Sequence, residues 1–215
     1  MAANRGRGQR VGLTRQAVLQ AAVRLADREG LAALSMRRIA AELGVEAMTL
    51  YHHVPSKEAL LDGMVEQLVA EMAPPPRFTS WQEGVRRYAH AFLDVLYAHP
   101  NLIPLVASRP ATTPQNLRTV ETMLETLHSS GFELARAYDM IRSLAAFVIG
   151  HAATRLDPVP GGPGERPSGP SFDPGSFPLF SEAFAKSDPM SRFDFALEAL
   201  LHGFEAARTA RPVAE

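Results

Sequence analysis

The 215-residue chain has no cysteine. That excludes disulfide frameworks, cysteine-ligated zinc and thiol catalysis, and it fits a reducing compartment. Long apolar runs are also missing: the longest, Leu144 to Gly150, is far too short to cross a bilayer. The basic opening MAANRGRGQR is not followed by the apolar core of a signal peptide. A soluble, cytoplasmic protein with no membrane association is therefore expected. No stretch alternates apolar and polar residues long enough to mark strands. HExxH, nucleophile-elbow and P-loop motifs are absent, and Gly6 and Gly8 follow no strand. His90/Asp94 and Glu198/His202 have the one-turn spacing of chelating pairs, but surface pairs at that spacing are common. No catalytic residue, metal or cofactor is expected.

What is present is a helix-forming chain with a core. Hydrophobic residues make up 46% of it, and the formal net charge is −1. That near-neutrality hides an asymmetry. Residues 1–60 carry nine Lys and Arg against five Asp and Glu, and residues 61–215 carry thirteen against eighteen. A basic end and an acidic body suggest a nucleic-acid-binding module joined to a body with another task.

Capping residues punctuate the helices. Thr14 opens a first helix that Gly30 ends; Ser35 opens Met36 to Leu43, closed by Gly44; a third runs about Ala47 to His53, stopped before Pro55. Ser56 opens a fourth to about Met72, beyond which Pro74, Pro75 and Pro76 forbid helix. Ser80 and Glu83 have capping-box spacing, and Trp81, Val85, Tyr88, Phe92 and Val95 form one stripe. Thr113-Pro114 begins a helix with Leu117, Val120, Leu124 and Leu127 as its stripe and Gly131 at its end. A long helix spans about Glu133 to Arg155. Residues 157–178 hold seven prolines and five glycines and read as a mobile loop. A short helix near Leu179 to Lys186 and a last one from Asp188 to about Arg208 follow. The fold class is all-α.

The segment from Ser35 to Met64, SMRRIAAELGVEAMTLYHHVPSKEALLDGM, has the form of a helix-turn-helix. Ile39, Ala40, Leu43, Val45 and Leu50 supply the seam. Arg37, Ala47, Met48, Thr49, Tyr51, His52 and His53 are left facing outward beside Lys57, a cluster with no structural need. Only the major groove admits a helix and displays an unambiguous pattern, so the third helix is the expected reader. Arg37 suits a forked contact to guanine, and Thr49 a phosphate or a thymine methyl. Tyr51, His53 and Lys57 suit phosphates, and His52 a base edge. Arg5, Arg7 and Arg10 suit an arm along DNA, or simply an unstructured tail.

This segment resembles the TetR family, in particular its tetracycline-repressor class. It carries that family's Leu-Gly-Val turn, Thr-Leu-Tyr recognition helix and Lys-x-Ala-Leu-Leu-Asp opening of the fourth helix. Weaker likeness continues at Ser108-Arg109-Pro110, Gly131-Phe132 and Leu197 to Glu205. The resemblance implies a three-helix DNA-binding domain over residues 1–55 and a helical ligand-binding and dimerisation domain over 56–215, with 56–72 as linking helix. It also implies a homodimer whose interface is a four-helix bundle, here helices 133–155 and 188–208. Those helices are apolar on more than one face, at Leu134, Ile141, Leu144, Phe147 and Val148, and at Phe193, Phe195, Leu197, Leu200, Leu201 and Phe204.

The resemblance places a ligand pocket among the helices of residues 80–155. Candidate lining residues are Phe92, Leu105, Ser108, Arg109, Met123, Leu127, Phe147 and Thr154. Leu105 and Thr154 stand where the class uses a histidine and a glutamate, so a magnesium–tetracycline inducer is not expected. Ala47 and Met48 replace a glutamine and a proline, so the DNA sequence read differs. The expected function is a transcriptional regulator, a repressor released from a two-fold symmetric operator by a mainly apolar small molecule. An architectural DNA binder would lack a cavity in the body; an enzyme would need convergent polar groups there.

Overall fold

The computed structural model describes residues 13–72, 80–109, 113–154, 173 and 175–209. Among them are ten α-helices and no strand: α1 (Arg15–Glu29), α2 (Met36–Leu43), α3 (Ala47–Tyr51), α4 (Lys57–Glu71), α5 (Trp81–Ala98), α6 (Ile103–Ser108), α7 (Pro114–Ser129), α8 (Leu134–Ala153), α9 (Pro178–Lys186) and α10 (Pro189–Thr209). The expected arm at Arg5, Arg7 and Arg10 lies outside the described residues, as does most of the 157–178 loop. The chain divides into two compact units, residues 1–73 with 98–119 and residues 74–97 with 120–215.

In the first unit α1 packs on α2 and α4, α2 on α3, and α4 on α6. The start of α1 is fixed by Thr14, whose Oγ1 accepts the Ala17 N–H at 3.1 Å. The core is Val18, Leu19, Ala22, Leu25 and Ala26 against Ile39, Leu50, Leu60, Met64 and Leu68, all buried. Each large side chain among them contributes about 1.5–3 kcal/mol of transfer free energy. Gly63 lets α4 approach α1 closely, since a Cβ there would lie 2.6 Å from Leu19 Cδ2.

In the second unit Trp81 packs edge-on against Phe132, with ring centres 4.9 Å apart. Its indole N–H donates to Glu205 at 3.2 Å. Phe147 of α8 stacks on the buried Phe193 of α10 at 5.1 Å. Arg86 of α5 forks onto Glu198 of α10 at 2.5 and 2.9 Å. These contacts join α5, α8 and α10 within that unit.

Two expectations need correction. The third helix stops at Tyr51, two residues early: the His53 and Val54 N–H groups both close on Leu50 O, Pro55 has no N–H to continue the ladder onto Tyr51 O, and the Val54 side chain enters the core. The stripe of α7 keeps Val120, Leu124 and Leu127 but not its first member. Leu117 is 52% exposed, and its neighbour Asn116 is the buried residue at that end of the helix. A periodic reading of apolar letters passes over a buried polar one. On α10 only part of the apolar set is covered within one chain: Phe193, Leu197 and Leu201 are buried, whereas Phe195 is 77% exposed.

Candidate nucleic-acid interface

The turn between α2 and α3 depends on Gly44, which sits at φ 65°, ψ 32° in the left-handed region. There the N–H of Val45 reaches back to Ala40 O at 3.0 Å, satisfying a carbonyl at the helix end. Ser35 accepts the Arg38 N–H and fixes the start of α2. Met36, Ile39, Ala40 and Leu50 face inward, so the opposite side of the motif is dictated.

That side presents Arg37, Met48, Tyr51, His52 and Lys57 to solvent; Ala47, Thr49 and His53 are half-buried. Met48 is 71% exposed, a cost in water that a contact surface explains. Arg37 has no hydrogen bond or ion pair with the described residues. Its neighbour Arg38 is held by Glu29. Lys57 opens α4, whose N-terminus is capped by Ser56 Oγ accepting the Ala59 N–H at 3.0 Å. A lysine at a helix N-terminus joins a cation to the positive end of the helix dipole, which favours phosphate.

The same unit fastens α4 from the side of α6. Arg109, just past α6, donates to Asp62 at 2.6 Å and also to Glu58. Its guanidinium is held charged even above its ordinary range by the hydrogen bonds of Glu58 and Asp62. At the other end of α4, His99 Nδ1 lies 2.9 Å from Asp27 of α1, and Nε2 lies 2.8 Å from Glu71. Burial pulls the His99 pKa down, but the hydrogen bonds of Asp27 and Glu71 outweigh it, and the net shift is upward. Asn101 adds bonds to the Ala26 and Asp27 carbonyls at 3.2 and 2.9 Å. Sequence reading missed this fastening, apart from naming Arg109 for another role. No spacing links Arg109 to residues 47 and 51 positions earlier.

The eight expected ligand residues fall in both units. Leu105 is buried in the first, Ser108 there donates to Pro104 O at 2.8 Å, and Arg109 is engaged as described. In the second, Phe92 and Leu127 are buried, Met123 and Phe147 half-buried, and Thr154 donates to His151 O. Tyr88, one turn before Phe92 and in ring contact with it, is a phenol pushed up to about 12 by burial. An open groove of 740 Å³ in this unit is lined by other residues, among them Phe132, Arg136, Met140 and Phe204. Neither chelating pair closes on itself: His90 faces Asp194 at 3.2 Å, and Glu198 is taken by Arg86.

An outward-facing short helix packed on α2 across a left-handed glycine turn, in a chain with a helical body, is the arrangement of a helix-turn-helix DNA-binding transcriptional regulator. Residues 18–64 match the model described as bacterial regulatory proteins, tetR family. Residues 73–208 match the tetracyclin repressor-like C-terminal domain. The chain belongs to the TetR family. It is 31% identical over 212 residues to the class D tetracycline repressor of Escherichia coli, covering 92% of each chain. It is 34% identical over 152 residues to the transcriptional repressor DrrR1 of Streptomyces coeruleorubidus, but spans only 56% of that protein's length. Among solved structures, ActR of Streptomyces coelicolor in complex with actinorhodin superposes with a TM-score of 0.75 at 27% identity, over 93% of this chain and 100% of that one.

Proposed function

We propose that the protein is a homodimeric repressor that a mainly apolar small molecule releases from a two-fold symmetric operator in the cytoplasm. The division of labour is residues 1–55 for DNA, with 56–215 for ligand and dimerisation. Arg37 and His52 read base edges, and Thr49, Tyr51, His53 and Lys57 hold phosphates. Ala47 and Met48 give the reading helix a small, apolar contact face suited to thymine methyls. Phe92, Leu105, Ser108, Arg109, Met123, Leu127, Phe147 and Thr154 line or border the ligand site. Helices α8 and α10 pair with their partner copies, covering Phe195 and the half-exposed Leu134 and Tyr138.

One observation carries the reading. The helix whose first residue is Lys57 is tied through Glu58 and Asp62 to Arg109, at the end of α6. A molecule that shifts α6 therefore acts on the helix that meets phosphate. DrrR1 and the class D protein are named as repressors, and ActR was solved with actinorhodin, which supports a small-molecule effector and a regulatory role.

The test has two stages. Operator is selected from a random DNA pool and footprinted; protection should be symmetric, with half-sites about 34–36 Å apart or a multiple of it. Actinorhodin, and any molecule that co-purifies with the native protein, is then titrated with and without saturating operator. Coupling should be reciprocal at about 1–3 kcal/mol. Equal ligand affinities in the two titrations would make any bound molecule a passenger.

A further inference from the structure

A chain without cysteine has no thiol to take oxidising equivalents, so its thioethers are the groups that two-electron oxidants reach first. There are eight methionines. Among the described residues Met36, Met64 and Met140 are buried, Met72 and Met123 are half-buried, and Met48 alone is exposed, at 71%. The one tryptophan, Trp81, is buried. A thioether needs no deprotonation before it reacts, so access to the sulfur governs its oxidation. By that measure Met48 outranks every other described methionine.

Its place in the fold makes that reaction consequential. Met48 is the second residue of α3, and Tyr51 and His52, three and four positions on, share its face and are exposed with it. Leu50 anchors the opposite side of the helix in the core. The thioether thus stands on the outward face and has little share in the packing of its own unit. Oxidation turns it into a polar, chiral sulfoxide. On a face that sheds its water against DNA, a sulfoxide oxygen without a donor forfeits its hydration and turns partial negative charge toward a polyanion. In the free protein the same oxygen stays in water and nothing is lost.

We propose that Met48 is a reversible oxidation site through which hydrogen peroxide keeps the free protein off its operator. The sulfur attacks one peroxide oxygen: an S–O bond forms, the O–O bond breaks, and the departing hydroxide takes the proton left on the new S–OH and leaves as water. Sulfur is oxidised by two electrons and peroxide is reduced by two. Operator DNA covers the sulfur, so the modification acts on molecules already released and blocks their return. A methionine sulfoxide reductase restores the thioether, and binding with it. The inference rests on the reading of α3 as the helix that meets the bases.

The experiment uses the full-length protein and an operator selected from a random DNA pool. Hydrogen peroxide is added in graded doses. Peptide mass spectrometry scores each methionine, and operator affinity and melting temperature are measured on the same samples. Met48 should oxidise ahead of Met36, Met64, Met72, Met123 and Met140, and saturating operator should slow its oxidation severalfold. Its sulfoxide should lower operator affinity at least about tenfold, the scale of burying an unpaired polar group. The melting temperature should move by less than about 2 °C, as for a change at the surface. Met48→Leu, apolar and without sulfur, should bind operator much as the wild type does and keep that affinity after peroxide. Met48→Gln, which carries an oxygen at similar reach, should bind weakly before any peroxide is added. Methionine sulfoxide reductases A and B together should return the oxidised wild type to its starting affinity.

Unchanged operator affinity with Met48 fully converted to the sulfoxide would overturn the proposal. So would equal oxidation rates with and without operator, or loss of binding by Met48→Leu at the same peroxide dose, which would put the damage at another methionine. Should leucine weaken binding by itself, the wild type decides: the binding lost must track the Met48 sulfoxide fraction and that of no other residue. The DNA reading fails separately. If the untreated protein enriches no sequence from the pool, the assignment of α3 falls and the switch with it; an operator bound equally well by the sulfoxide removes the switch alone.

Discussion

Gly63→Ala tests how closely α1 and α4 fit. The added methyl would lie 2.6 Å from Leu19 Cδ2, 3.0 Å from Cδ1 and 3.1 Å from Arg15 Nη2. Arg15 is 46% exposed and can swing aside, at the modest cost of its surface pair with Glu66. Leu19 is 2% exposed and cannot. Overpacking of this kind costs about 1–3 kcal/mol, and replacing a mid-helix glycine by alanine returns about 1 kcal/mol. Gly63→Ala should therefore destabilise by about 1 kcal/mol. In a Leu19→Ala background, which alone costs about 2–5 kcal/mol, the clash is gone and the space is empty. There Gly63→Ala should stabilise by about 1 kcal/mol, so the sign reverses. Equilibrium denaturation of the four proteins at one protein concentration measures this, since the proposed dimer would make stability depend on concentration. An effect of the same sign and size in both backgrounds would falsify the claim that Gly63 is kept for closeness.

Lys57→Ala should weaken binding to all DNA sequences and lower the salt slope by roughly one per half-site, whereas Arg37→Ala should cost about 1–3 kcal/mol and relax preference at one base pair. Uniform weakening by Arg37→Ala, in a competition assay, would make that arginine a phosphate anchor instead. Gly44→Ala should destabilise by about 1–2 kcal/mol, because alanine resists the left-handed region, and thermal unfolding reads it. His99 contributes stability that is complete below its ordinary pKa, about 6.5, and fades as pH rises through its raised folded value. The stability difference between wild type and His99→Gln should shrink as pH climbs above neutrality; a difference constant across that window would mean His99 acts by packing alone.

The local punctuation of the chain was legible because each signal is chemically forced. Thr14, Ser35 and Ser56 cap the helices they precede, and Gly44 takes the left-handed turn that only a residue without a side chain adopts at no cost. The outward set at Arg37, Met48, Tyr51, His52 and Lys57 followed from assigning the apolar seam to the inside. Legibility failed where the determining contact is long-range or breaks the hydrophobic rule. Asn116 is polar and buried, so apolar periodicity put Leu117 in its place. Nothing in the spacing of Glu58, Asp62 and Arg109, or of Asp27, Glu71 and His99, says that they meet, because chain topology brings them together. The ligand residues came by resemblance, and the groove beside Phe132 and Met140 lies elsewhere.

The Arg109 fork has an electrostatic side as well as a mechanical one. The first two turns of α4 carry Lys57, Glu58 and Asp62, one cation against two anions, at the end proposed to meet phosphate. With Arg109 seated between the carboxylates that end is neutral, and the Lys57 charge is not opposed. Withdrawing Arg109 by even one side-chain length leaves two carboxylates, Glu58 well exposed, facing a polyanion. Repulsion in a partly desolvated interface is large compared with the same pair in water. DNA affinity then falls without any displacement of α3. The deficit relative to the seated state grows as salt is lowered, because less counterion screens the two carboxylates from the polyanion.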